Sequence, residues 1–207
     1  MTPMPTVHVV DDDLSTRKSL ARLIGGAGHA VALYESAEAF LDVASPALAG
    51  CVLLDLRLPG AGGLEVQDRL AERGCRIPIV FLTGHGDVAA SVRAMKRGAV
   101  DFLEKPVVAD ELFAAVTTAL ERDASSRLEA DEIGRLRRRV ESLSVRQREV
   151  WLRVVRGELN KQIAADLGIV ERTVKLHRAK AMEKLGADST ADLVRIAERL
   201  HLIGSSR

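Results

Sequence analysis

The 207-residue sequence is short of cysteine, of long apolar runs and of net charge. Its two cysteines, Cys51 and Cys75, stand in no C-x-x-C or Cys/His spacing. Neither a disulfide framework nor a zinc site is therefore indicated, and each reads as a small buried apolar residue. No uncharged stretch approaches the ~18 apolar residues of a membrane span. The first basic residue, Arg17, follows Asp11, Asp12 and Asp13, an order that does not suit a signal or transit peptide. We expect a cytoplasmic protein without membrane contact. The formal net charge of +1 conceals an asymmetry, since residues 1–121 hold 11 Lys/Arg against 16 Asp/Glu and residues 122–207 hold 19 against 13. An acidic module is joined to a basic one, and a basic cytosolic module most often meets phosphate backbones. With 47% hydrophobic and 29% charged residues, the chain can bury the cores of one ordinary domain or two small ones.

Short β-branched runs alternate with helical patterns through the first 121 residues, the signature of βα units on a parallel sheet. The strands read as Val7–Val10, Ala30–Tyr34, Cys51–Asp55, Pro78–Thr83 and Asp101–Glu104. Leu20, Leu23 and Ile24, then Leu64, Val66 and Leu70, then Leu112, Val116 and Leu120 form helical stripes that serve as core faces. Residues 122–143 are rich in charge and read as a linker, helical in its spacing but weakened by Gly134 and Ser125–Ser126. Its Arg137–Arg138–Arg139 run reads first as a solvated helix face and second as a nucleic-acid patch. After Ser144 no strand pattern remains. Helical segments follow at roughly 145–156, 160–167, 171–184 and 189–199, with Ser144 and Ser189 as N-caps and Gly157, Gly168 and Gly186 as stops.

In an open parallel sheet, ligands bind beyond the carboxyl ends of the strands. Those ends carry Asp11, Asp12 and Asp13 (strand one), Asp55 (strand three), Thr83 (strand four) and Lys105–Pro106 (strand five). Crowded carboxylates repel one another and favour a hard divalent cation, for which Mg2+ is the natural occupant. Thr83 offers a hydroxyl and Lys105 a positive charge, so the set describes a site for a phosphoryl group attached to, or passing through, Asp55. Taken singly, Asp13 or Ser15 reads as an N-cap and a strand-end Asp as a turn former.

Four ordered motifs carry a family resemblance: Val9–Val10–Asp11–Asp12–Asp13, Leu54–Asp55–Leu56–Arg57–Leu58–Pro59–Gly60, Leu82–Thr83–Gly84–His85–Gly86–Asp87 and Asp101–Phe102–Leu103–Glu104–Lys105–Pro106. With them, residues 5–121 resemble the receiver domain of two-component response regulators. The resemblance implies an α/β fold with a five-stranded parallel sheet in the flavodoxin-like order 2-1-3-4-5. It implies that Asp55 is the phosphoacceptor that attacks a phosphohistidine of a sensor histidine kinase. Asp12 and Asp55 would bind Mg2+ with the Arg57 carbonyl, Asp11 would assist through water, and Thr83 and Lys105 would hold the phosphoryl oxygens. Phe102 would be the aromatic that turns inward on phosphorylation, and Lys105–Pro106 would be cis. Leu58 stands where methionine is common. Arg93, Met95, Lys96, Val100 and Phe102 are candidates for a surface that changes, with Met95 and Val100 equally readable as core.

The stretch from Asn160 to Ala179 has the proportions of a helix-turn-helix. Ile163, Ala164, Leu167, Val174, Met182 and Leu185 supply inner faces, while Lys175, Arg178 and Lys180 point outward as suits a helix in the major groove. Residues 144–207 resemble the all-α, four-helix LuxR-type module of NarL/FixJ regulators in Leu143–Ser144, Arg148–Glu149, Asn160–Lys161–Gln162–Ile163–Ala164, Thr173–Val174–Lys175 and Lys184–Leu185. By that resemblance Thr173, Lys175, Leu176 and Ala179 contact the groove of double-stranded DNA and Lys161, Arg172 and Arg178 contact phosphates. The same resemblance implies a dimer contact on the last helix through Leu193, Val194 and Ala197. Trp151 and His177 read as packing residues.

A transcription regulator switched by aspartyl phosphorylation, with a homodimer forming on phosphorylation, is the leading reading. A haloacid-dehalogenase-type phosphatase would carry its nucleophile first in a D-x-D motif, whereas here the acid pair comes first and Asp55-Leu56-Arg57 lacks the second carboxylate. A ligand-gated LuxR-type regulator would carry a sensing domain in place of the receiver motifs. A phosphorylation-independent regulator would normally have lost an acid, the threonine or the lysine, and all are present. We expect no enzyme.

Overall fold

The computed structural model describes residues 4–84 and 88–203. His85, Gly86 and Asp87 of the third receiver motif, and residues 204–207, lie outside the described residues. The β-branched runs form the five strands β1 (Thr6–Val10), β2 (Ala30–Tyr34), β3 (Gly50–Asp55), β4 (Ile79–Thr83) and β5 (Asp101–Glu104). They pair in parallel in the order β2-β1-β3-β4-β5, as the resemblance implied. Between them run α1 (Leu14–Gly26), α2 (Ala37–Val43), α3 (Gly63–Glu72) and α4 (Val88–Lys96). After β5 comes α5 (Ala109–Glu141), then α6 (Val145–Val155), α7 (Asn160–Leu167), α8 (Glu171–Leu185) and α9 (Thr190–Arg199). Among the described residues no helix is long and apolar enough to cross a membrane.

The chain divides into two compact units, Met1–Ser126 and Arg127–Arg207. In the first, the period of two along buried strands splits the core into two layers. On β3, Cys51 and Leu53 face Leu20 and Ile24 of α1 and Leu112 and Val116 of α5. Their neighbours Val52 and Leu54 face Phe40 of α2, Val66 and Leu70 of α3, and Ala94 of α4. Two glycines permit close approach of backbone. A Cβ on Gly50, whose φ is +117°, would stand 1.8 Å from the Thr6 carbonyl oxygen. One on Gly63 would stand 2.5 Å from the carbonyl oxygen of Asp55, so this glycine lets α3 start directly beneath the end of β3.

Most of the stretch read as a helical linker belongs to α5. α5 continues as one helix through Ser125, Ser126 and Gly134 to Glu141. Asp123 is buried in the first unit and accepts the Gly50 N–H at 2.9 Å. Leu136 and Val140 are buried in the core of the second unit beside Ala181 and Leu185. The helix holds because each half finds a core to pack on, which outweighs the propensity cost of one glycine and two serines. In the second unit Ser144 and Ser189 cap α6 and α9 through capping boxes with Gln147 and Asp192. Gly168 and Gly186 close α7 and α8 in the left-handed conformation.

One buried side chain of β1 escaped the sequence reading. His8 is enclosed by Tyr34 and Phe40, with Nδ1 3.1 Å from the Tyr34 hydroxyl and Nε2 without a hydrogen-bond partner. Burial lowers its pKa, and the Ala49 backbone offsets only part of that effect. Below the ordinary histidine value of ~6.5 the unfolded chain therefore takes up a proton that the folded chain refuses, so acid destabilises the fold. Above that pH the residue contributes no pH dependence. The urea midpoint of the first unit should fall between pH 7.5 and 5.5 more steeply in wild type than in His8→Phe; equal slopes would contradict this assignment.

Candidate functional site

Asp55 closes β3 and Asp11 follows β1, neighbours in the sheet through the Val10↔Leu54 pairing. β4 lies on the other side of β3 with Asp55 opposite Leu82, which sets Thr83 one residue beyond, and β5 brings Glu104 opposite Thr83. The lysine after Glu104 thus arrives at the same edge. Its Nζ donates to Asp55 Oδ2 at 2.6 Å and to Asp11 Oδ2 at 2.7 Å. Its backbone N–H donates to the Thr83 carbonyl at 2.8 Å, and the Lys105–Pro106 peptide is cis. The four motifs read in sequence converge here in their described residues.

Backbone groups aim the acids. The Arg57 N–H donates to Asp55 Oδ1 and the Asp13 N–H to Asp11 Oδ1, both at 2.9 Å. Asp13 is the N-cap of α1, and hydrogen bonds from the Thr16 hydroxyl and the Ser15 backbone hold its carboxyl down at about 2. Arg17, buried on α1, donates to the Asp11 carbonyl at 2.6 Å. This supporting arginine was not foreseen; an arginine one turn into an otherwise core-facing helix was the only signal.

Asp11 is fully buried, Asp55 is 7% exposed, and Asp12 is exposed. Burial pushes Asp11 above the usual carboxylate range, and the Lys105 ammonium and the Asp13 N–H pull it only part of the way back. Burial would lower Lys105, but hydrogen bonds and charge from Asp11 and Asp55 outweigh it and raise the ammonium pKa. One lysine among three acids leaves the cluster with an excess of negative charge. Oxygens of Asp11, Asp12 and Asp55 lie within 4.8 Å of one another. An all-oxygen, anionic set open on one side is the donor chemistry that Mg2+ prefers, so the cluster could hold that ion. Thr83 is buried at the strand end, Phe102 on β5 is 46% exposed, and Val92 and Met95 on α4 are exposed as well. Val100 instead packs against the sheet core.

In the second unit, α7 and α8 are joined by Gly168, Ile169 and Val170. Val174, Ala181 and Leu185 of α8 are buried, while Arg172, Lys175, Leu176 and Ala179 are exposed along one face at helical spacing. Lys161 is exposed near the start of α7, and Thr173 and Arg178 are half-buried. Lys175 pairs with Glu171 at 3.2 Å, and Arg178 donates to the Thr190 hydroxyl at 2.5 Å. Trp151 is fully buried as expected. His177 is half-buried with Nδ1 lacking a partner.

The dimer contact requires correction. Leu193 and Ala197 are fully enclosed in the unit's own core, where the Leu193 carbonyl accepts the Trp151 Nε1–H at 3.3 Å. The apolar stripe of α9 is used inside the unit, so these two side chains cannot face a second copy. Only Val194 of the three retains some surface.

Comparison with known proteins agrees with this geometry. The family described as "Response regulator receiver domain" matches residues 7–117, and that described as "Bacterial regulatory proteins, luxR family" matches residues 141–197. The chain is 46% identical to Nodulation protein W of Bradyrhizobium diazoefficiens over 94% of this chain and 86% of that protein. It is also 46% identical to Transcriptional regulatory protein FixJ of Azorhizobium caulinodans, over 92% and 90% of the two chains. Among solved structures, response regulator StyR superposes with a TM-score of 0.84 at 43% identity, covering 95% of this chain and all of that one. A receiver domain and a luxR-family domain in this order place the chain in the NarL/FixJ family of two-component response regulators, as a transcription regulator rather than an enzyme.

Proposed function

We propose that Asp55 is the phosphoacceptor of this regulator and that its phosphorylation by a sensor histidine kinase governs DNA binding through α8. The observation that carries the reading is the double contact of Lys105 Nζ with Asp55 and Asp11, which holds the Asp55 carboxylate at the open edge of the sheet. An Asp55 oxygen attacks the phosphorus of a phosphohistidine, the P–N bond breaks, and the imidazole leaves. Asp11, Asp12 and Asp55, with the Arg57 carbonyl, would hold Mg2+, which when bound supplies positive charge toward the phosphoryl oxygens. Lys105 then exchanges a carboxylate for a phosphoryl oxygen without leaving its position, and the Thr83 hydroxyl donates to another. Phe102, exposed on β5, the strand paired with β4 and its Thr83, is the side chain on which a movement of Thr83 would register.

In the second unit, Thr173, Lys175, Leu176 and Ala179 read base edges of double-stranded DNA, with Lys161, Arg172 and Arg178 on phosphates. Phosphorylation promotes a homodimer on a two-fold symmetric site, because paired half-sites demand paired readers. The work is cytoplasmic, where kinase and DNA are both within reach. The test is to treat the full chain with Mg2+ and a small phosphoryl donor and follow intact mass, sizing and DNA mobility shift. One added phosphoryl group on Asp55, dependent on Mg2+, should accompany dimerisation and tighter DNA binding. Chelation of Mg2+ should prevent all three, and a mass gain on another residue would overturn the assignment.

A further inference from the structure

Two helix ends meet inside the second unit, and the contacts between them were no part of the sequence reading. The last turn of α5 and the last turn of α8 both terminate beside Gly186. A helix C-terminus carries unsatisfied carbonyls and a partial negative charge, so two such ends repel unless cations bridge them. Here each helix supplies a cation to the other. Arg139 Nη1, from α5, donates to the Leu185 carbonyl at the end of α8 at 3.0 Å. Lys184 Nζ, from α8, donates to the Ser142 carbonyl just past the end of α5 at 2.7 Å. Gly186 completes the arrangement, because a Cβ there would stand 2.8 Å from Arg139 Nη1. Leu136 and Val140 pack in the same core as Ala181 and Leu185, so the clasp sits over a shared apolar contact.

We propose that this Arg139–Lys184 clasp is the joint that fixes the orientation of the DNA-reading helix, making Arg139 and Lys184 positioning residues for sequence recognition. The proposal rests on the assignment of α8 to the groove of DNA. It separates Arg139 from its neighbours Arg137 and Arg138. A phosphate contact weakens binding to every sequence alike and contributes to salt dependence, whereas a joint that aims α8 affects the fit to the preferred sequence.

The experiment uses the full chain, a duplex enriched from a random-sequence pool by the wild type, and a scrambled duplex of equal length. Arg139→Gln and Lys184→Gln should each reduce affinity for the enriched duplex about 5- to 30-fold. Affinity for the scrambled duplex and the salt slope should stay at wild-type values. The double variant should resemble either single one, since both break the same joint, and Arg139→Lys should recover part of the loss. Amide exchange at Gly186 and Ala187, whose N–H groups close the end of α8, should accelerate in both single variants without DNA present. A salt slope reduced by about one in Arg139→Gln would make it a phosphate contact and overturn the proposal. So would an unchanged preference for the enriched duplex. A wild type that enriches no duplex would instead defeat the DNA assignment and with it the positioning role, and the exchange measurement would tell these failures apart.

Discussion

Asp55→Asn should take up no phosphoryl group from a small donor under conditions that load the wild type completely, and its DNA affinity should be indifferent to the donor. The wild type should tighten by about 5- to 150-fold, the usual span of coupling between two linked sites. The reason lies in what the amide keeps and loses. Its carbonyl can still accept the Arg57 N–H that now meets Asp55 Oδ1, and Lys105 retains its bond to Asp11. The edge of the sheet therefore stays assembled, and the change in unfolding free energy should be no more than about 1 kcal/mol. The nucleophilic carboxylate is gone, and one of the three oxygens grouped for a cation is weakened with it. Intact mass and a fluorescence-anisotropy titration measure both outcomes. A mass gain in Asp55→Asn, or a donor-dependent rise in its DNA affinity, would remove Asp55 from the centre of the mechanism.

The second large effect concerns stability. Trp151→Ala should cost the second unit about 3–5 kcal/mol, in the range measured for large aromatic truncations in cores. Trp151 is fully enclosed among Val150, Val154, Ile163 and Leu193. Its indole N–H also reaches the Leu193 carbonyl in α9, so truncation removes packing and a buried bond together. Trp151→Phe keeps most of the volume and should lose roughly 1 kcal/mol from the missing N–H donor plus whatever the smaller ring leaves unfilled. Because the first unit has its own core, Trp151→Ala should lower only the transition of the second unit in a urea titration followed by circular dichroism. Phosphoryl loading of Asp55 should continue in that variant. Loss of loading, or one unchanged transition, would contradict the separation of the two cores.

Much of this molecule was readable in its sequence because the signals were local. Strand ends carried the chemistry, and β3 showed it most plainly: the unbroken apolar run Cys51–Leu54 predicts a strand buried on both faces, and Asp55 is the first polar residue after it. The helix stops at Gly168 and Gly186 were equally plain, since the αL conformation favours a residue without Cβ. What the sequence concealed was non-local. Nothing near Asp123 announces that its carboxylate caps Gly50, 73 positions earlier. The burial of Arg17 and of His8 depends on which side of a layer each faces, and a polar residue gives no periodic signal for that. The assignment of Leu193 and Ala197 to a dimer contact failed for a related reason. An apolar stripe on a helix states that something covers it, and only the folded unit shows that α6 does.

The seam at Ser126, inside one uninterrupted helix, has a practical consequence for anyone exchanging output halves between regulators of this kind. A splice at Ser144, where the capped helices begin, would strip Leu136 and Val140 from the core they complete and leave the graft with an open flank. Joining instead at 126/127, with the helical phase preserved, hands each half of the chimera every side chain its own interior was built around.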